Sequence, residues 1–310
     1  MGLKERTFGM NFLQELLRFL DTSMEMPGLF GWFHILWLGI TAAATWAMCR
    51  FGKGKERKVM LWTAIVVIVL EVYKQVNYSF SYEGGIAFDY QWYAFPFQFC
   101  STPMYIGLLA GITKPTISAK KTPGAITEET TTAMPVRNCQ RRLAAEGKVH
   151  DALCCYLATF ALFAGLCVMA YPGDVFTDIV GINIQTMICH GSMVAIGIYL
   201  LYTGYVKLEH KTILKAAAVF AVCVLLAVGL NELAHLSALE ETFNMFFISP
   251  YWECTLPVYN LVHNVLPFPV NLLVYIAGFT AASWIILSAA ILISKAPKKN
   301  AQCKMQNAKC

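Results

Sequence analysis

Two residues in this chain have side chains able to start covalent chemistry from within apolar surroundings, Cys100 and His190. A thiol attacks a carbonyl carbon as the thiolate, which a neighbouring imidazole generates by taking its proton. Such a pair would suit acyl transfer through a thioester. Gln98 and Ser101 flank the cysteine and can donate hydrogen bonds to an oxyanion, while Glu71, Asn231 or Glu232 could orient the imidazole. Each residue also has a plainer reading. Glu71 and Lys74, three apart on one helix face, read equally as an ion pair that neutralises itself. Asn231 reads as hydrogen-bonding glue between helices. Cys100 taken alone reads as a small buried hydrophobe, and His34, His235 and His263 as interfacial residues.

The elements that must position these groups follow from composition. Of 310 residues, 57% are hydrophobic and 14% charged, against roughly 45–50% and 25% in ordinary globular chains. So few charges cannot clothe a water-soluble surface, and the mean hydropathy of +0.53 agrees. A soluble enzyme, a disordered protein and a nucleic-acid binder are excluded. The predicted fold is all-α and polytopic. A crossing helix needs about 20 mostly apolar residues, and seven stretches qualify: Phe30–Cys49, Val59–Val76, Ala94–Ile112, Ala152–Tyr171, Ile184–Tyr202, Ile213–Leu233 and Val270–Ile293.

Basic residues alternate between the connections. They crowd the first loop (Arg50, Lys53, Lys55, Arg57, Lys58), the third (seven between Lys114 and Lys148), the fifth (Lys207, Lys211) and the tail, whereas loops two, four and six have none. By the positive-inside rule this predicts an outside N-terminus and a cytoplasmic C-terminus. The pI of 8.6 then belongs to cytoplasmic loops. With that topology Glu71, Lys74, Gln98, Cys100, His190, Asn231 and His34 all fall in the outer half, which predicts a pocket opening on that side.

Residues 1–29 show no signal-peptide pattern. Phe12, Leu13, Leu16, Leu17 and Leu20 recur at helical spacing, either as a helix on the membrane surface or as a cap on the bundle. The membrane domain covers 30–293, with a Thr-, Lys- and Glu-rich linker over 114–150 and a basic tail over 294–310. The aromatic loop over 235–269 reads as a cover for the outer mouth or as a headgroup belt. Several cysteines fall on the reducing side, so no disulfide framework is expected, and no zinc-like spacing recurs.

The ordered motifs carry a resemblance. Phe95-Pro96-Phe97-Gln98-Phe99-Cys100-Ser101 resembles the Leu-Pro-Leu-His-Leu-Cys segment of the YwaF-type bacterial integral membrane proteins, which are related to the transmembrane protein 164 family of acyltransferases. Tyr171-Pro172-Gly173 with His190-Gly191-Ser192-Met193 resembles that family's turn and embedded His, and Asn244-Met245-Phe246-Phe247 its segment before the last span. The resemblance implies a Cys100 nucleophile and a His190 base moving acyl groups from a membrane phospholipid to a lysophospholipid, without a soluble cofactor. The family's His two residues before the Cys is Gln98 here. A non-enzymatic alternative uses the same pocket in a small-solute permease or ligand sensor, with Glu71, Lys74 and Asn231 as binding groups.

Overall fold

The computed structural model describes residues 12, 14–81, 87–115, 147–239, 241–263 and 265–295. The bundle is built from α1 (Trp32–Phe51), α2 (Glu56–Asn77), α3 (Thr102–Ile112), α4 (Gly147–Ala170), α5 (Val180–Tyr202), α6 (Thr212–Leu236) and α7 (Phe268–Lys295). All but α3 are long and apolar enough to cross a membrane. The chain is a multi-pass membrane protein. Most of the expected linker (116–146) and nearly all of the tail (296–310) lie outside the described residues.

The expected third span is the main difference. A helix over Ala94–Ile112 was predicted, but α3 starts only at Thr102, and Trp92–Ala94 forms a single 3-10 turn. Proline explains the break. Pro96 has no N–H and pushes Phe95 to an extended conformation (ψ 135°). Pro103 suits the first turn of a helix, where an N–H lacks a partner anyway.

α5 is the hub, buried along most of its length and packed on α1, α2 and α4. Small residues let the backbones approach: a Cβ on Gly165 of α4 would lie 2.8 Å from the His190 carbonyl oxygen. α3 runs antiparallel to α2, with Gly107 facing Ala64 and Gly111 facing Leu61. Arg57 Nη2 closes the far end by donating to the Gly111 and Ile112 carbonyls at 3.2 and 3.1 Å. α4 contains one π turn, Leu157–Ala161, whose Phe160 stacks on Phe220 of α6 at 4.6 Å.

The segment before α1 caps the bundle. Residues 14–20 are helical, and Leu17 is buried while Leu16 and Phe19 are exposed. Tyr73 Oη donates to the Leu20 carbonyl at 2.6 Å, and Ser23 bridges to Ile179 at the start of α5. A two-residue hairpin, β1 (Phe80–Ser81) and β2 (Ala87–Phe88), follows α2. His34, expected at an interface, is fully buried: it accepts from the Phe30 N–H at Nδ1 and its Nε2 lies 2.9 Å from the Met169 carbonyl.

Candidate active site

Cys100 lies in a non-helical strap over 95–101 that threads into the bundle before α3. Irregular backbone at membrane depth needs internal partners for its polar groups, and the strap's carbonyls find them. Pro96 O accepts from Tyr105 Oη, Phe99 O from Thr102 Oγ1, and Cys100 O from Cys189 Sγ at 3.7 Å, while just before the strap Ala94 O accepts from Gln75 Nε2. Phe97 and Phe99 anchor the strap by packing on Phe246, with Phe99 also against Phe220 and Phe279. Cys100 lines a narrow cavity of about 30 Å³ with Val67 of α2, Met104 of α3, Leu157 of α4 and Ser192 of α5.

Beside the strap, Glu71 and Lys74 form the expected intrahelical ion pair at 2.8 Å, nearly closed to solvent. Glu71 does more than neutralise Lys74. Its carboxylate also accepts from Gln75 Nε2 at 2.8 Å and Gln185 Nε2 at 3.2 Å, and Gln75 Oε1 accepts from Tyr90 Oη. This network ties α2, the turn that precedes the strap and α5 together.

His190 is buried on α5, one residue after Cys189. Its Nδ1 lies 2.8 Å from the Thr186 carbonyl, which can only accept. Nδ1 therefore carries the proton, and Nε2 presents a lone pair. Nε2 has no hydrogen-bond partner, so Cys100 and His190 are not bonded to each other in this structure. The α5 side chain that does touch the Cys100 backbone is Cys189.

The TMEM164 family model matches residues 29–288. The chain belongs to the TMEM164 family. No curated protein and no solved structure matches it. In this TMEM164-family chain three of the remaining predicted site residues, Gln98, Asn231 and Asn244, serve one loop. Gln98 donates through Nε2 to the Asn244 carbonyl at 3.1 Å and accepts the Phe246 N–H at Oε1 at 3.0 Å. Asn231 holds Met245 through both its N–H and its carbonyl. Asn244 accepts the Ser249 N–H and donates to the Glu253 carbonyl. The clasped residues include Phe246 and Phe247, both at positive φ (60° and 58°), a conformation that costs energy for a bulky side chain and persists where surroundings impose it. Phe243, Met245 and Phe246 are buried, so this part of the aromatic loop plugs the bundle end. Glu232 lies outside the group, accepting from exposed Tyr251. Ser101 is buried at the N-cap of α3.

Sequence reasoning missed Gln185, Cys189 and Ser192 in this TMEM164-family site. Their spacing of four and three residues along α5 makes one helix stripe, and that stripe was the available signal. It also missed a polar group at the opposite end, where His150 contacts Thr113 at 3.1 Å, Tyr205 at 2.8 Å and Cys154 at 3.5 Å. The spacing of His150 and Cys154, four apart, carried that signal.

Proposed function

We propose that this protein is a membrane phospholipid acyltransferase, or an acyl hydrolase when water is the acceptor, with Cys100 as nucleophile and His190 as base. The supporting observation is His190 itself: a buried imidazole whose Nδ1–H is committed to Thr186 O and whose Nε2 lone pair is unspent, at the depth of a thiol that lines a cavity. Catalytic hydrogen bonds are often long or misaligned before substrate binds and tighten afterwards. In the first step the Cys100 S–H proton passes to His190 Nε2 as sulfur attacks the acyl carbonyl. The ester C–O bond breaks, and the departing lysophospholipid oxygen takes the proton back, leaving a thioester. In the second step an acceptor hydroxyl gives its proton to His190 and attacks the thioester; the C–S bond breaks and the thiol is restored. The strap leads into the amino end of α3, whose partial positive charge would lie beside the sulfur as negative charge develops.

The same reading takes α3 with its strap as the third of seven crossings, since α3 runs antiparallel to α2 from the Cys100 end to the Arg57 end. The basic loops support an outside N-terminus and a cytoplasmic C-terminus, and the resemblance to YwaF-type proteins supports a bacterial plasma membrane. The test is intact-protein mass spectrometry after incubation with phospholipid. A hydroxylamine-labile acyl adduct on the wild type, absent from Cys100→Ala, is the expected result. No adduct together with no lysophospholipid or fatty acid released would overturn the reading.

A further inference from the structure

A second cavity lies next to the Cys100 cavity, and it opens sideways. It occupies about 320 Å³ between α1 and α2, with α5 as its floor. α1 rests on α5, and α2 on α3 and α5, so the first two helices straddle the hub and leave a slot. Met187, Gly191 and Ala195 form the buried floor. Ile40 on one rim and Trp62 and Val66 on the other are exposed (42%, 65% and 50%). Both rim helices are candidate spans, so the rims face hydrocarbon.

The lining also says what fits. No charged residue lines the slot. Ser192, one of its few polar residues, turns its hydroxyl to the Cys189 carbonyl at 2.7 Å. Thr41 and Thr63 add one hydroxyl each, too few to replace the hydration of a charged or strongly polar solute, whereas a hydrocarbon chain needs no partner. Length agrees. From Trp37 to Met48 the slot follows α1 for about 16 Å at 1.5 Å rise per residue, close to half the hydrocarbon core of about 30 Å. That is about the reach of one extended acyl chain, and it lies along the middle of α1 (Trp32–Phe51). Thr63, Val67 and Ser192 line both this slot and the Cys100 cavity, so the wall between them is one side chain thick.

We infer that the slot between α1 and α2 holds a single acyl chain of a membrane lipid, admitted laterally from the bilayer, with Thr63, Val67 and Ser192 as the throat leading to Cys100. The inference rests on the acyl-transfer reading for the purpose of the slot, but its occupancy can be measured without turnover.

The experiment uses the full chain in phospholipid nanodiscs containing a phospholipid with a diazirine and an alkyne on its acyl chain. After illumination, labelled peptides are located by mass spectrometry. Expected is severalfold enrichment on the slot residues of α1, α2 and α5 over the lipid-facing Leu225 and Leu226 of α6, and loss of that enrichment in Ala44→Trp, which fills the slot from the α1 wall. Ala44 is half-buried and lines the slot, so a second filling variant, Thr41→Leu, guards against misfolding of the first. Equal labelling of slot and α6, or enrichment unchanged in both variants, would overturn the slot. Because labelling needs no thioester, a labelled slot in a chain that forms no Cys100 adduct and releases no lysophospholipid or fatty acid would leave the slot standing and remove the acyltransferase reading. An adduct without slot labelling would do the reverse.

Discussion

Asn231 of α6 grips Met245 from both sides, donating from Nδ2 to its carbonyl at 3.1 Å and accepting its N–H at Oδ1 at 2.8 Å. Gln98 does the same for the adjoining backbone, bonding Asn244 O and Phe246 N. Two carboxamides therefore hold a loop whose left-handed residues would otherwise relax. Gln98 donates and accepts at once. It joins the Cys100 strap to the plug.

Removing one carboxamide should release the plug. Asn231→Ala or Gln98→Ala leaves buried backbone groups of Met245 or Phe246 without partners, a loss of about 1–3 kcal/mol. Hydrogen exchange should then show faster exchange of the Met245 and Phe246 amides, with α5 unchanged. Equal acceleration throughout the bundle would contradict a local clasp.

The Glu71–Lys74 pair gives a different test. Lys74→Met leaves a buried carboxylate without its cation, and breaking such a pair costs about 3–5 kcal/mol. The melting temperature should fall sharply. The double variant Glu71→Gln, Lys74→Met should recover much of the loss, since glutamine still reaches Gln75 and Gln185.

His190→Gln keeps a polar side chain of similar reach but has no basic nitrogen. The rate of adduct formation on Cys100 should drop about a hundred- to ten-thousand-fold, the usual weight of a positioned general base, with an unchanged melting temperature. Cys189→Ala, by contrast, should still form the adduct. Adduct on Cys189 in place of Cys100 would reassign the nucleophile.

Gly165 tests the seam behind His190. A Cβ there would meet the His190 carbonyl at 2.8 Å and Met193 Cβ at 2.9 Å, and overpacking of this kind costs about 1–3 kcal/mol. Gly165→Ala should lower the melting temperature and slow adduct formation together. The exposed Gly39 has no atom within 4 Å of an added Cβ, so Gly39→Ala should neither lower the melting temperature nor slow adduct formation.

Much of this arrangement was legible because membrane helices announce themselves by length and apolarity, and six of the seven expected spans hold their place within a few residues. The third did not, because hydropathy counts Phe95, Phe97 and Phe99 as helix-compatible while Pro96 sets the backbone. Neighbourhood follows from contacts: Glu71 is hydrogen-bonded to Gln185 of α5, Cys100 to Cys189 beside His190, and Asn231 to the same loop that Gln98 holds. Direction was not legible. Periodicity places a residue at a level but says nothing of which neighbour its polar atoms reach, so the readings of Gln98 as an oxyanion donor and of Asn231 as a partner of the imidazole give way to two carboxamides that bind loop backbone. The Glu71–Lys74 pair was foreseen because both partners lie on one helix, where spacing alone fixes contact.

The π turn in α4 bears on how this chain tolerates change in length. Anywhere else in a helix, losing one residue rotates everything beyond it by about 100° and would swing Gly165 away from α5. Leu157–Ala161 already holds one residue more than an α turn needs. A deletion there would tighten the coil to ordinary α geometry and leave the two flanking segments on their present faces, so relatives shorter by one residue are expected to have lost it at this point.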